Sequence, residues 1–125
     1  DEHGFVERYI TAWRLLRGPG FACDDARDVE RARRIYAAGV CRDGVLRQFV
    51  AVATARNRSA ALAQVVTPTL VIHGAADPLV PLAHGAATRA AIGGAELCVI
   101  AGMGHAMPVE LWPELIAAIV RRARS

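Results

Sequence analysis

The stretch that most limits what this chain can fold into is residues 69–108, TLVIHGAADPLVPLAHGAATRAAIGGAELCVIAGMGHAMP. Thr69 to His73 is a short, apolar, β-branched run between Pro68 and Gly74, the pattern of a fully buried strand. Leu82 to Ile92 is rich in alanine and stops at Gly93-Gly94, which predicts a helix. Leu97 to Ile100 is a second buried run, closed by Ala101-Gly102. Two buried strands joined by a helix pair in parallel through a right-handed crossover. In such a sheet, the loops at the carboxyl ends of neighbouring strands lie side by side. Asp77 follows the first strand and His105 the second, so the pattern brings a carboxylate and an imidazole together.

That pairing has a chemical use. A carboxylate can accept the imidazole Nδ1–H, hold one tautomer, and stabilise the imidazolium formed when Nε2 takes a proton from a nucleophile. Gly102 and Gly104 flank the histidine loop and leave its backbone free to turn sharply. The segments HGAADPLVP and AGMGHAMP resemble the acid loop and histidine loop of the α/β-hydrolase fold. Within that fold they are most similar to bacterial esterases of the aclacinomycin methylesterase type. Chain order agrees, because α/β-hydrolases run nucleophile, acid, histidine.

The resemblance spans nearly the whole chain. It implies an α/β fold class: a helical cap (lid) segment over residues 1–64, then the last two parallel strands and helices of the sheet over residues 65–125. It implies carboxylic ester hydrolysis on a small-molecule substrate, with Asp77 as the acid and His105 as the general base. It implies neither a metal nor an organic cofactor.

The third catalytic group has no counterpart. The family's nucleophile sits in a G-x-S-x-G elbow between a strand and a helix, and no such motif occurs. The only serines are Ser59, in a polar break between helices, and Ser125 at the end. The earlier strands and the oxyanion-hole loop are missing as well, and the chain opens on Asp1. The expectation is therefore the C-terminal part of a hydrolase, inactive by itself. Cys98, a cysteine nucleophile in principle, lies inside the second strand rather than at its carboxyl end. With Cys23 and Cys41 it makes an odd count without a C-x-x-C pair, so free thiols are expected.

Composition narrows the classes further. At 125 residues and 54% hydrophobic, the chain has enough apolar content for a core. No apolar run approaches a membrane span and no signal peptide opens the sequence, so a cytoplasmic protein is expected. The formal net charge is +3, and all 15 basic residues are arginine. They are spread along the helices without the continuous basic face or reading motif of a nucleic-acid binder.

Upstream of the constraining stretch, helices are expected over Glu2 to Leu16, from an Asp24-Asp25 cap to about Ala38, and over Gly44 to Ala55 capped by Asp43. Leu46, Phe49, Val50 and Ala53 should face inward on the third. Ser59 should cap a short turn through Gln64. Phe5, Trp13, Phe21, Tyr36 and Phe49 are either core or lining of a lid pocket. Downstream, Pro108 to Pro113 allows a turn, and Leu115 to Arg124 reads as a helix with Ile116, Ile119 and Val120 on the sheet.

Plainer alternatives stand beside these. Asp77 before Pro78 is also a turn former, and His105 also fits a loop histidine. His73 and His84 raise a metal site with Asp77 and His105, although the spacing fits no ligand pattern. A non-catalytic remnant or interaction module would retain the architecture without the reaction. Two strands are too few for an independent sheet, and their edges would stay unpaired. A folded form should therefore pair with the missing half or with a second copy, as a dimer.

Overall fold

The structure is a computed structural model that describes residues 1–124, the side chain of Arg42 apart; Ser125 lies outside the described residues. Helix α1 (Glu2–Arg17) starts where the Asp1 side chain accepts the Gly4 N–H at 2.8 Å. It stops at Gly18, whose φ of 84° suits glycine. Helix α2 (Asp25–Ala37) is capped as expected by Asp24, which accepts the Arg27 N–H at 3.1 Å. The two helices pack through aromatic rings. Phe5 on α1 lies 5.5 Å from Tyr36 on α2, and the Arg31 guanidinium of α2 sits 4.4 Å over the Trp13 ring of α1. Ala32 on α2 is fully buried.

Helix α3 (Arg42–Ala53) departs from expectation twice. Its cap is Cys41, whose Sγ accepts the Gly44 N–H at 3.3 Å, while Asp43 falls within the first turn. Leu46, Phe49, Val50 and Ala53 face out rather than in, with Phe49 71% exposed. No described element packs extensively against α3, so its apolar residues have nothing to be buried by. The short α4 (Ser59–Leu62) has Arg58 rather than Ser59 at its N-cap, and a turn at Asn57, two residues before Ser59, leads into it. The Asn57 Oδ1 accepts the Ser59 N–H at 2.8 Å, and the Ser59 side chain caps nothing.

Strands β1 (Leu70–Gly74) and β2 (Glu96–Ile100) form one parallel sheet, with Leu70 opposite Glu96 and Gly74 opposite Ile100. Helix α5 (Leu82–Ala91) joins them and packs against β1. A 3₁₀ turn at Val109–Leu111 leads into α6 (Trp112–Ala123), with Pro113 in its first turn. Leu115 and Leu111 join Ile100 and Met103 in the core, and Phe21, Ile72 and Cys98 pack on them.

Ile116, Ile119 and Val120 do not face the sheet, being 58%, 51% and 40% exposed. Leu115 and Ala118 are the buried face of α6. Two strands are too narrow to cover the whole apolar arc of that helix. Arg122, in the last turn of α6, spans the opening ends of both strands. It donates to Thr69 O at 3.2 Å, Gly94 O at 2.7 Å and Glu96 Oε1 at 3.1 Å. All three cysteines are free, and no helix among the described residues is long and apolar enough to cross a membrane.

Candidate active site

The residues after β1 form a loop pinned at several points. Ala75 N donates to Ile100 O and Ala76 N to Met103 O, both at 2.9 Å. The loop is thereby tied to the end of the neighbouring strand. Asp77 then closes a turn on itself, its Oδ1 accepting Leu79 N–H at 2.8 Å and Val80 N–H at 2.9 Å. The turn-forming role weighed for Asp77 is therefore real, and it occupies only one carboxylate oxygen.

The other oxygen reaches across. His105 Nδ1–H donates to Asp77 Oδ2 at 2.9 Å. The Asp77 side chain is 6% exposed and that of His105 is 43% exposed, so the carboxylate is covered and the ring is open. Burial works to raise the Asp77 pKa. The hydrogen bonds from Val80, His105 and Leu79 outweigh it and hold the carboxyl below its ordinary value. An ionised Asp77 only accepts, which places the His105 proton on Nδ1 and leaves Nε2 as a lone-pair acceptor. Nε2 has no hydrogen-bond partner among the described residues.

The histidine loop is held from the opposite side by the end of α1. Gly104 N donates to Arg17 O at 2.8 Å and Ala106 N donates to Leu16 O at 2.9 Å. Carbonyls that a helix terminus leaves unpaired are thus satisfied by the two amides flanking His105. Gly102, with φ of 72°, serves the sharp turn expected of it. Gly104 does not take a positive φ, and its lack of a side chain serves close approach to the α1 backbone instead.

His73 has a role that sequence reasoning missed. Its Nε2–H donates to Val80 O at 2.9 Å, while Val80 N–H is held by Asp77. His73 thereby anchors the far end of the acid turn. A Cβ on Gly85 would come 2.6 Å from His73 Nδ1, so α5 approaches the ring as closely as only glycine permits. The signal available in the sequence was a glycine three residues inside an alanine-rich helix. His84 stays apart from this cluster, exposed on α5. No group of three or more His, Cys, Asp or Glu able to hold a metal exists among the described residues.

His105 opens onto a cavity of about 320 Å³ lined by Trp13, Leu16, Arg31, Met107 and Trp112. Of the aromatics considered for a lid pocket, Trp13 lines it. Phe21 belongs to the core and Phe49 faces outward. Ser59 is exposed on α4 and is not among the residues lining the cavity.

A helical segment, a parallel strand pair, and loops at the strands' carboxyl ends define the fold as the later portion of an α/β-hydrolase. The chain belongs to the family described as TAP-like protein, whose model matches residues 36–110. It is 34% identical over 122 residues to rhodomycin D methylesterase DauP of Streptomyces sp. (strain C5), covering 96% of this chain and 40% of that protein. It is 33% identical over 123 residues to rhodomycin D methylesterase DnrP of Streptomyces peucetius, with the same two coverages. The chain thus spans about 40% of the length of these curated relatives. A crystal structure of a serine hydrolase involved in carbazole degradation, the CarC enzyme, superposes with a TM-score of 0.70 at 22% identity. That match covers 94% of this chain and 46% of the other, and it speaks for the fold.

Proposed function

We propose that this chain supplies the acid and the histidine of a serine hydrolase acting on carboxylic esters, with the nucleophile contributed from outside residues 1–125. In this reading residues 1–64 are the lid and residues 65–125 the end of the catalytic core. The protein works in the cytoplasm, and the two-stranded sheet is completed by the nucleophile-bearing part or by a second copy of the chain. The observation that carries the reading is the 2.9 Å bond from His105 Nδ1–H to a buried, ionised Asp77, with Nε2 left without a hydrogen-bond partner among the described residues.

The chemistry follows from that bond. Nε2 accepts the proton of a serine hydroxyl as its oxygen attacks the ester carbonyl. The imidazolium is stabilised by Asp77 and then gives the proton to the departing alcohol. Water repeats the sequence on the acyl-enzyme, releasing the acid and restoring both groups. Two relatives that bear the name methylesterase support the choice of an ester over other acyl substrates.

Hydrolysis of p-nitrophenyl butyrate tests this, measured for the chain alone and for an extended polypeptide carrying the nucleophile-bearing part. Turnover is expected only from the second. There Asp77→Asn and His105→Ala should each lower kcat by roughly 10⁴-fold. Undiminished activity in either variant would sink the proposal. Full activity from the chain alone would do the same.

A further inference from the structure

The two methionines of the chain stand on either side of His105, in the run Met103-Gly104-His105-Ala106-Met107. Their surroundings are opposite. Met103 is 3% exposed and packs with Ile100, Leu111 and Leu115 in the core, whereas Met107 is 58% exposed.

Met107 also stands where three cavities meet. It lines the cavity of about 320 Å³ beside Trp13 and Trp112, and a recess of about 240 Å³ next to it. It further lines a cavity of about 270 Å³ on the strand side of His105, walled by Ile72, Asp77 and Val80. Among the described residues Met107 alone lines all three. The two cavities that reach His105 share only His105 and Met107. A change in the polarity of this side chain is therefore felt on both sides of the imidazole.

The chemistry of a thioether says what that change is. Its sulfur carries lone pairs and no proton, so it needs no deprotonation to attack a peroxide. The sulfur lone pair bonds to one oxygen of hydrogen peroxide and the O–O bond breaks. The departing hydroxide takes the proton from the transferred oxygen and leaves as water. The sulfoxide that remains turns a flexible apolar side chain into a polar one with a strong acceptor. Around Met107 stand Trp13, Leu16 and Trp112 on one side, and Ile72 and Val80 on the other. A sulfoxide there must give up water whenever an apolar substrate group covers it, which weakens binding. The Asp77–His105 hydrogen bond involves neither methionine, so the general base survives the change.

We infer that Met107 is a site of reversible oxidation, at which hydrogen peroxide or an alkyl hydroperoxide weakens the binding of apolar esters without disabling the Asp77–His105 pair. The kinetic consequence rests on the ester-hydrolase reading; the oxidation itself does not.

Treating the chain with hydrogen peroxide and locating the added oxygen by fragmentation mass spectrometry tests the modification. Met107 should gain oxygen at least about tenfold faster than Met103, because susceptibility follows access. Equal rates, or Met103 leading, overturn the inference.

With the extended polypeptide, the same treatment should raise KM for p-nitrophenyl butyrate by about tenfold and leave kcat within about twofold. Methionine sulfoxide reductase with dithiothreitol should restore KM. Dithiothreitol alone, which reverses disulfides and sulfenic acids at Cys23, Cys41 and Cys98, should not. Met107→Leu should hold its own untreated KM through the treatment. A wild-type KM unmoved while Met107 is oxidised overturns the inference, as does an equal rise in Met107→Leu. If no ester is turned over, the hydrolase reading fails, and the contrast between Met107 and Met103 still decides the oxidation site.

Discussion

Gly104→Ala is a steric test of how the histidine loop is held. A Cβ there would press on the Leu16 carbonyl oxygen and lie 2.7 Å from Gly18 N and 2.9 Å from Arg17 C. All three are backbone atoms, so no flexible side chain can move aside. Ordinary contact between heavy atoms begins at about 3.5 Å, so the loop and the end of α1 must separate by roughly 1 Å. That separation breaks or stretches Gly104 N–H to Arg17 O and Ala106 N–H to Leu16 O, each worth about 1 kcal/mol. Adding about 1–3 kcal/mol for overpacking gives an expected destabilisation of roughly 3–5 kcal/mol. Residue 104 is not in the left-handed region, so backbone strain contributes nothing to that figure. His105 lies between the two amides and shifts with them, and under the proposed function a displacement near 1 Å should lower the rate of ester hydrolysis by about 10²-fold. Urea unfolding followed by circular dichroism reads the first effect, and kcat of the extended polypeptide reads the second. Gly93→Ala is the control, since a Cβ there meets nothing within 4 Å. A Gly104→Ala variant within about 0.5 kcal/mol of wild type would refute the reasoning, because so small a change belongs to unconstrained surface sites.

Three further outcomes can be checked on the same material. His73→Leu leaves Val80 O without its donor and should cost about 1–2 kcal/mol in urea unfolding. Through the loosened acid turn it should lower kcat more than it raises KM, whereas an equal effect on both would remove the link to Asp77. Arg122→Ala releases Thr69 O, Gly94 O and Glu96 together and should cost roughly 1–3 kcal/mol; a Tm unchanged from wild type would show the clasp to be idle. The Asp77 carboxyl titrates below its ordinary value in the folded chain, so its contribution is complete above the unfolded value near pH 4. That contribution is lost as pH falls through the folded value. Asp77→Asn should therefore flatten the stability curve below about pH 4 and leave its slope from pH 5 to 7 alone; an unaltered acid limb would contradict this.

Most element boundaries were legible in the sequence because they rest on local chemistry. Gly18 must take a positive φ, Asp24 caps with a short carboxylate, and Pro113 fits only a first turn. Each acts within a few residues of itself. The meeting of Asp77 and His105 was legible for a different reason. Parallel pairing across a helix leaves the carboxyl ends of β1 and β2 adjacent, whatever else surrounds them.

What stayed hidden depends on partners distant in the chain. Asp43 is the residue type that caps, yet the cap of α3 is Cys41, because the fold brings its Sγ to the Gly44 N–H. The apolar arcs of α3 and α6 are compatible with several orientations at 3.6 residues per turn. Only the placement of the sheet decided that Leu115 and Ala118 are covered while Ile116 and Ile119 are not.

Chain order and residue type alone determined that a carboxylate and an imidazole would share one rim, since strand alternation and crossover geometry have a single outcome. Tertiary structure alone decided what holds them there: His73 behind the acid turn, and the carbonyls of Leu16 and Arg17 against the amides on either side of His105. It also decided that Arg17 would be buried and paired with Glu110, far along the chain. Contacts across dozens of residues are set by how elements pack, and a local pattern carries no record of that.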